Sequence, residues 1–138
     1  SMVNAPAGST LPEPAQVAID WLAASRFAAW DQPATAWIDK VAPLVTGQVN
    51  ADNQRLRSGS IGAGWSVFVE NRCTATVVDA GAVIPPEAPA TSQAVHVQVA
   101  GTVRTECETG PAVPDEAATA TLTVAQTPVG WKVAGREQ

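Results

Sequence analysis

Residues 95–107, VHVQVAGTVRTEC, decide the fold. Val95, Val97, Val99, Gly101, Val103 and Cys107 alternate with His96, Gln98, Thr102, Arg104 and Glu106, the period of two that a strand with one buried face requires. The same alternation runs upstream through residues 65–78. Trp65, Val67, Val69, Asn71, Cys73, Ala75 and Val77 take the inward parity there, and Phe68, Arg72, Thr74, Thr76 and Val78 the outward one. Downstream, Ala118, Ala120, Leu122 and Val124 alternate with threonines, and Trp131 and Val133 follow the turn Thr127-Pro128-Val129-Gly130. Four antiparallel strands in a meander are predicted.

The registers can be tested against one another, because a one-residue slip would turn every apolar side chain to water. Pairing Cys73 with Cys107 makes opposed residue numbers sum to 180 and centres the connection on Ala90, inside the proline-rich AVIPPEAPATS of residues 82–92. Pairing Cys107 with Ala118 gives a sum of 225, sets Val103 opposite Leu122, and puts the turn within residues 110–114. The shared face and register also predict a Cys73–Cys107 disulfide. It would close 34 residue steps and stabilise the domain by about 3–4 kcal/mol.

Ahead of the strands the period is helical. In AQVAIDWLAASRFAAWD, residues 15–31, a single face carries Ala18, Trp21, Leu22, Ser25, Ala28 and Ala29, with Glu13 at the positive end. Asp31-Gln32-Pro33 restarts the chain into a second helix over residues 34–44. A third, short helix is expected after Gly47, carrying Val49 and Leu56 inward and ending before Ser58-Gly59-Ser60. Helices first and strands afterwards, with no βα alternation, describe an α+β domain whose helices pack on the apolar face of a curved, cone-like sheet. Trp21, Trp37, Trp65 and Trp131 are expected to fill the core. Trp30 is set apart at the tip of the helical hairpin.

With 138 residues and 46% hydrophobic content the chain is expected to be globular and soluble, one domain over 14–138. Residues 1–13 read as a tag scar, Ser1-Met2, and a Pro/Ala/Gly/Ser linker. A formal charge of −5 and only eight basic residues argue against direct nucleic-acid binding. Six of the eight are Arg, which with the Ala/Val richness suggests a GC-rich bacterial genome. No apolar run approaches the ~20 residues that span a bilayer, so membrane attachment would come from an N-terminal anchor upstream of this sequence.

From residue 14 to 136 the order of elements resembles the cone-shaped nuclear-transport-factor-like (SnoaL-like) superfamily, in which a helical hairpin lines a bent sheet ending in a strand like Gly130-Trp131-Lys132-Val133. The stretch FAAWDQPATAWIDKVAPLVTGQV, with Phe27, Trp30, Asp31, Trp37, Val41, Pro43, Leu44 and Thr46 in a characteristic spacing, is similar to actinobacterial TcpC-type conjugation proteins and to type IV secretion inner-membrane scaffold domains. The resemblance implies an envelope domain tethered to the cytoplasmic membrane and engaged in assembly. It supplies no catalytic residue.

The residues themselves offer little chemistry. There is no Cys-x-x-Cys, no Gly-x-Ser-x-Gly and no phosphate-cradling glycine loop, and one histidine with two cysteines does not make a zinc site, so no metal or cofactor is expected. His96 takes the outward parity, toward solvent. Asp20 and Asp39 are the carboxylates that a pocket of this fold could use as a base, although Tyr, a common partner in such pockets, is absent. The outward face of the sheet offers Phe68, Arg72, Val78 and Arg104 as a docking surface, Arg72 facing Glu108 in the same register, with Trp30 as an outlying anchor.

The expected function is that of a noncatalytic, extracytoplasmic assembly domain whose partners are other protein subunits of an envelope complex, a second copy of the chain among the candidates. The alternatives are an isomerase-like or small-molecule-binding pocket protein of the same fold and a cell-envelope lipoprotein domain.

Overall fold

The computed structural model describes residues 3–4, 11–59, 61–86 and 91–137. Most of the stretch read as tag scar and linker, and Ala90 at the expected hairpin centre, lie outside the described residues. The elements run β1 (Val3–Asn4), α1 (Glu13–Ser25), β2 (Ala28–Ala29), α2 (Ala36–Val41), α3 (Gly47–Arg55), α4 (Gly64–Glu70), β3 (Cys73–Val83), β4 (Ala94–Cys107), β5 (Glu116–Thr127) and β6 (Gly130–Arg136). Single 3-10 turns follow α2 at Ala42–Leu44 and α3 at Leu56–Ser58.

The α+β class and the antiparallel meander β3-β4-β5-β6 are as expected, and the sheet is larger than four strands. Both β1 and β2 add to the outer side of β3, at its two ends. α1 lies across the apolar face and touches all four long strands, with Ala15, Ala18 and Leu22 buried against Val97, Val99, Leu122 and Val133. Its close approach depends on Gly101. A Cβ there would stand 2.8 Å from Val77 Cγ1 and 3.3 Å from Leu22 Cδ2.

β3 and β4 pair as expected from Cys73↔Cys107 to Val78↔Thr102. Asp79 (φ 54°) and Ala80 then bulge opposite Gly101, and pairing resumes at Gly81↔Ala100. The expected β4–β5 register is corrected by six residues: Val97, not Val103, faces Leu122, and Val103 faces Glu116. An even shift preserves side-chain parity, so the apolar faces still coincide and alternation alone could not reveal it.

Three local expectations fail for identifiable reasons. The first helix stops at Ser25, because Ala28 and Ala29 leave it to pair with Ala75 and Thr74, and the Trp30 N–H donates to the Cys73 carbonyl at 3.0 Å. Tertiary pairing here overrides the helical propensity of alanine. Residues 64–70 are a helix and not the start of a strand: GWSVFVE satisfies either period over seven residues, and Trp65 and Phe68, one turn apart, stack with ring centroids 5.1 Å apart. Leu56 points outward instead of into the core.

The tryptophan expectation is also corrected. Leu22, Ile38, Val41, Val97, Val99, Leu122, Val124 and Val133 make up the fully buried interior, and all five tryptophans are only half-buried. Trp21, Trp37 and Trp131 pack against this core from its rim.

Candidate functional site

The expected docking residues divide between two places. At one end of the sheet the inward-facing Cys73 and Cys107 form the predicted bridge, with Cα atoms 4.0 Å apart, and the first docking residues lie on the outward face beside it. Arg72 precedes Cys73 at the end of α4 in the left-handed region (φ 53°), its N–H donating to the Val69 carbonyl at 3.1 Å. Its guanidinium lies over Trp30, 5.0 Å from the ring centroid. The pair borders a shallow depression of about 380 Å³ with Thr74, Thr76, Glu106 and Glu108. Arg104, opposite Thr76, is engaged by Asp115 at 3.1 Å, and this hydrogen bond and charge raise the guanidinium pKa above its ordinary value. Val78 keeps the outward parity and is half-buried.

Phe68 belongs elsewhere. As part of α4 it lines a groove on the helical side with Trp65, Ile61, Leu56, Trp37 and Ala28, about 450 Å³ in volume and with no charged residue in its wall. Trp37 and Leu56 also line an adjoining cleft of about 500 Å³, whose other walls include Trp21, Arg26, Val49, Asp52 and Arg136. Sharing Trp37 and Leu56 as walls, the groove and the cleft adjoin as one channel, apolar at the Phe68 end and mixed in character at the Trp21 end. Leu56 and Ile61 in it are 56% and 60% exposed, which the core does not require of them.

The carboxylates weighed as pocket bases are not among the residues lining this channel. Asp20 is exposed on α1 and accepts from Gln16 Nε2 at 2.9 Å. Asp39 is exposed on α2 and ion-paired with Arg57. Asp52 does reach the cleft, but Arg55 at 2.8 Å and Gln48 at 3.1 Å occupy its Oδ1. His96 Nδ1 meets Glu137 Oε1 at 3.0 Å beside an open, polar depression on the outer sheet lined by Gln98, Thr119, Thr121 and Arg136. Among the described residues no three His, Cys, Asp or Glu side chains gather to hold a metal, and no helix is long and apolar enough to cross a membrane.

Sequence reading missed Trp37, Leu56, Ile61 and Trp65 as one surface. The available signal was Ile61, a lone large apolar residue within Ser58-Gly59-Ser60-Ile61-Gly62-Ala63-Gly64, where no core-facing period explains it.

No family model matches the chain, and no curated protein sequence matches it either. Among solved structures, the chain is similar to TraH, named as a transfer protein of the Gram-positive conjugative plasmid pIP501. The TM-score is 0.52 and the identity 8%, over 93% of this chain and 94% of that one. At that identity the likeness is one of fold, extending over nearly the whole of both chains.

Proposed function

We propose that this chain is a noncatalytic docking domain of a conjugation or secretion machine in the cell envelope, held outside the cytoplasmic membrane by an N-terminal anchor and gripped by other subunits through its helical-side channel. The observation that carries the proposal is the exposed apolar channel around Trp37, Leu56, Ile61 and Trp65. Its exposure suits a protein interface better than a closed ligand chamber. The near full-length fold likeness to a protein named for conjugative transfer supports the choice of machine, and the disulfide fits an oxidising compartment. The cone-like, SnoaL-type description of the fold belongs to the same proposal.

The test is complementation of a deletion in the native host, read as transfer or secretion efficiency. Trp65→Asp is expected to lower it at least about tenfold with the domain still folded, as for an interface anchor. Asp20→Asn and Asp39→Asn are expected to stay within about twofold, in keeping with surface positions. The reverse pattern would overturn the docking reading.

One observation favours a second reading. The cleft of about 500 Å³ between Trp21 and Trp37 is of a size that holds small ligands. A pocket protein of this kind would bind an apolar anion there without need of partner subunits. The lipoprotein alternative would show instead as a lipid-modified cysteine in the upstream sequence.

A further inference from the structure

Charge along the channel is uneven. At the Ile61, Trp65 and Phe68 end the walls hold no charged residue. At the Trp21 end they hold two guanidinium groups, Arg26 and Arg136, and one carboxylate, Asp52. That carboxylate is already held by Arg55 at 2.8 Å. Among the described residues Arg26 makes a long, exposed contact with Glu116 at 3.8 Å, and Arg136 rests on the Trp21 ring 5.7 Å from its centroid while its Nη2 donates to the Thr119 carbonyl at 3.4 Å. A positive end to an apolar channel is therefore built into a protein whose formal charge is −5.

From this complementarity we infer that the channel receives an acidic amphipathic helix of a partner protein, its apolar face against Trp37, Leu56 and Trp65 and its carboxylates against Arg26 and Arg136. The walls draw side chains from α1, α2, α3 and α4 as well as from the connecting turns and β6, and an exposed apolar groove of this kind can take the apolar face of an amphipathic helix. Strand addition has little to grip. The Val133 carbonyl on the β6 edge is already taken by the Thr46 N–H at 3.0 Å, and only Ala134, Gly135 and Arg136 of that strand remain along the cleft. Steering by the two arginines would also make capture sensitive to salt.

The inference rests on the docking function and names its partner's chemistry. The probe is a labelled synthetic helix of about 16 residues, near the length at which helices become stable in water. It carries leucines at i, i+4, i+7 and i+11 and three glutamates at one end, and its control has lysines in their place. The glutamate peptide is expected to bind the whole domain at least about tenfold more tightly than the lysine peptide, a preference that shrinks in high salt. Arg26→Glu with Arg136→Glu should reverse the preference, and Ile61→Asp should weaken both peptides.

Equal binding of the two peptides, no binding of either, or an unchanged preference in the arginine variant overturns the inference. So does a concentration-dependent dimer that Ile61→Asp abolishes, which would give the channel to a second copy. Arg26 and Arg136 are exposed, and the unfolding transition of each variant confirms that it folds; Arg136→Gln serves as the milder change. Loss of peptide preference while Trp65→Asp still impairs complementation removes the acidic helix and leaves docking standing. A clear preference with normal complementation does the opposite.

Discussion

The Arg72 guanidinium covers the Trp30 indole at 5.0 Å while the Arg72 backbone is held at φ 53°, a conformation that glycine adopts far more easily. The side-chain contact contributes about 0.5–1 kcal/mol at a half-exposed site. The left-handed backbone costs about 1 kcal/mol. Arg72→Ala keeps the strain and loses the contact, whereas Arg72→Gly loses both. Chemical denaturation should therefore find the glycine variant more stable than the alanine variant by about 1 kcal/mol and close to the parent. Equal stabilities of the two variants would show that the backbone at Arg72 is not strained.

The Cys73–Cys107 bridge closes a loop of 34 residues that includes the β3–β4 hairpin. Reduction, or Cys73→Ser with Cys107→Ser, is expected to lower stability by about 3 kcal/mol. Intact mass without reductant should be about two units below the reduced mass, from the two hydrogens lost when the bridge forms. Identical masses would show free thiols.

Gly101 lies beneath Leu22 of α1 and beside Val77 of β3. Gly101→Ala would push its methyl to 2.8 Å from Val77 Cγ1, and valine cannot rotate away freely because its χ1 is restricted. An overpacking cost of about 1–3 kcal/mol is expected in thermal or urea unfolding. A neutral effect would mean that Leu22 and Val77 can both shift.

The channel should be dispensable for folding. Ile61→Asp and Leu56→Asp change exposed positions and should move stability by less than about 0.5 kcal/mol. Leu122→Ala, at a fully buried position opposite Val97, should cost about 2–5 kcal/mol. A large loss from Ile61→Asp would place that residue in the core and weaken the docking function.

Much of the sheet was legible because strand parity survives errors of position. Cys73, Ala75, Val97, Val99, Leu122 and Val133 all carry the parity read from the sequence, and all are buried. What parity cannot supply is absolute register, and β4 and β5 pair six residues from the expected place. Residues 64–70 were misread because seven residues with valines at 67 and 69 fit a strand as well as a helix. The site was less legible. Trp30 and Arg72 were named separately, and the structure brings them together; Phe68 was placed on the outer sheet and lies in the channel. That channel joins Trp21, Trp37, Leu56, Ile61 and Trp65, residues from four segments that only tertiary packing makes neighbours.

Half-burial of every tryptophan, in a protein with no tyrosine, also determines what light can report. Tryptophan emission therefore comes from rings at the rim of the core, which unfolding would expose further to water. Trp21, Trp37 and Trp65 line the channel, so an occupant that covers them should blue-shift and brighten the signal. The domain thus carries an intrinsic optical sensor of occupancy.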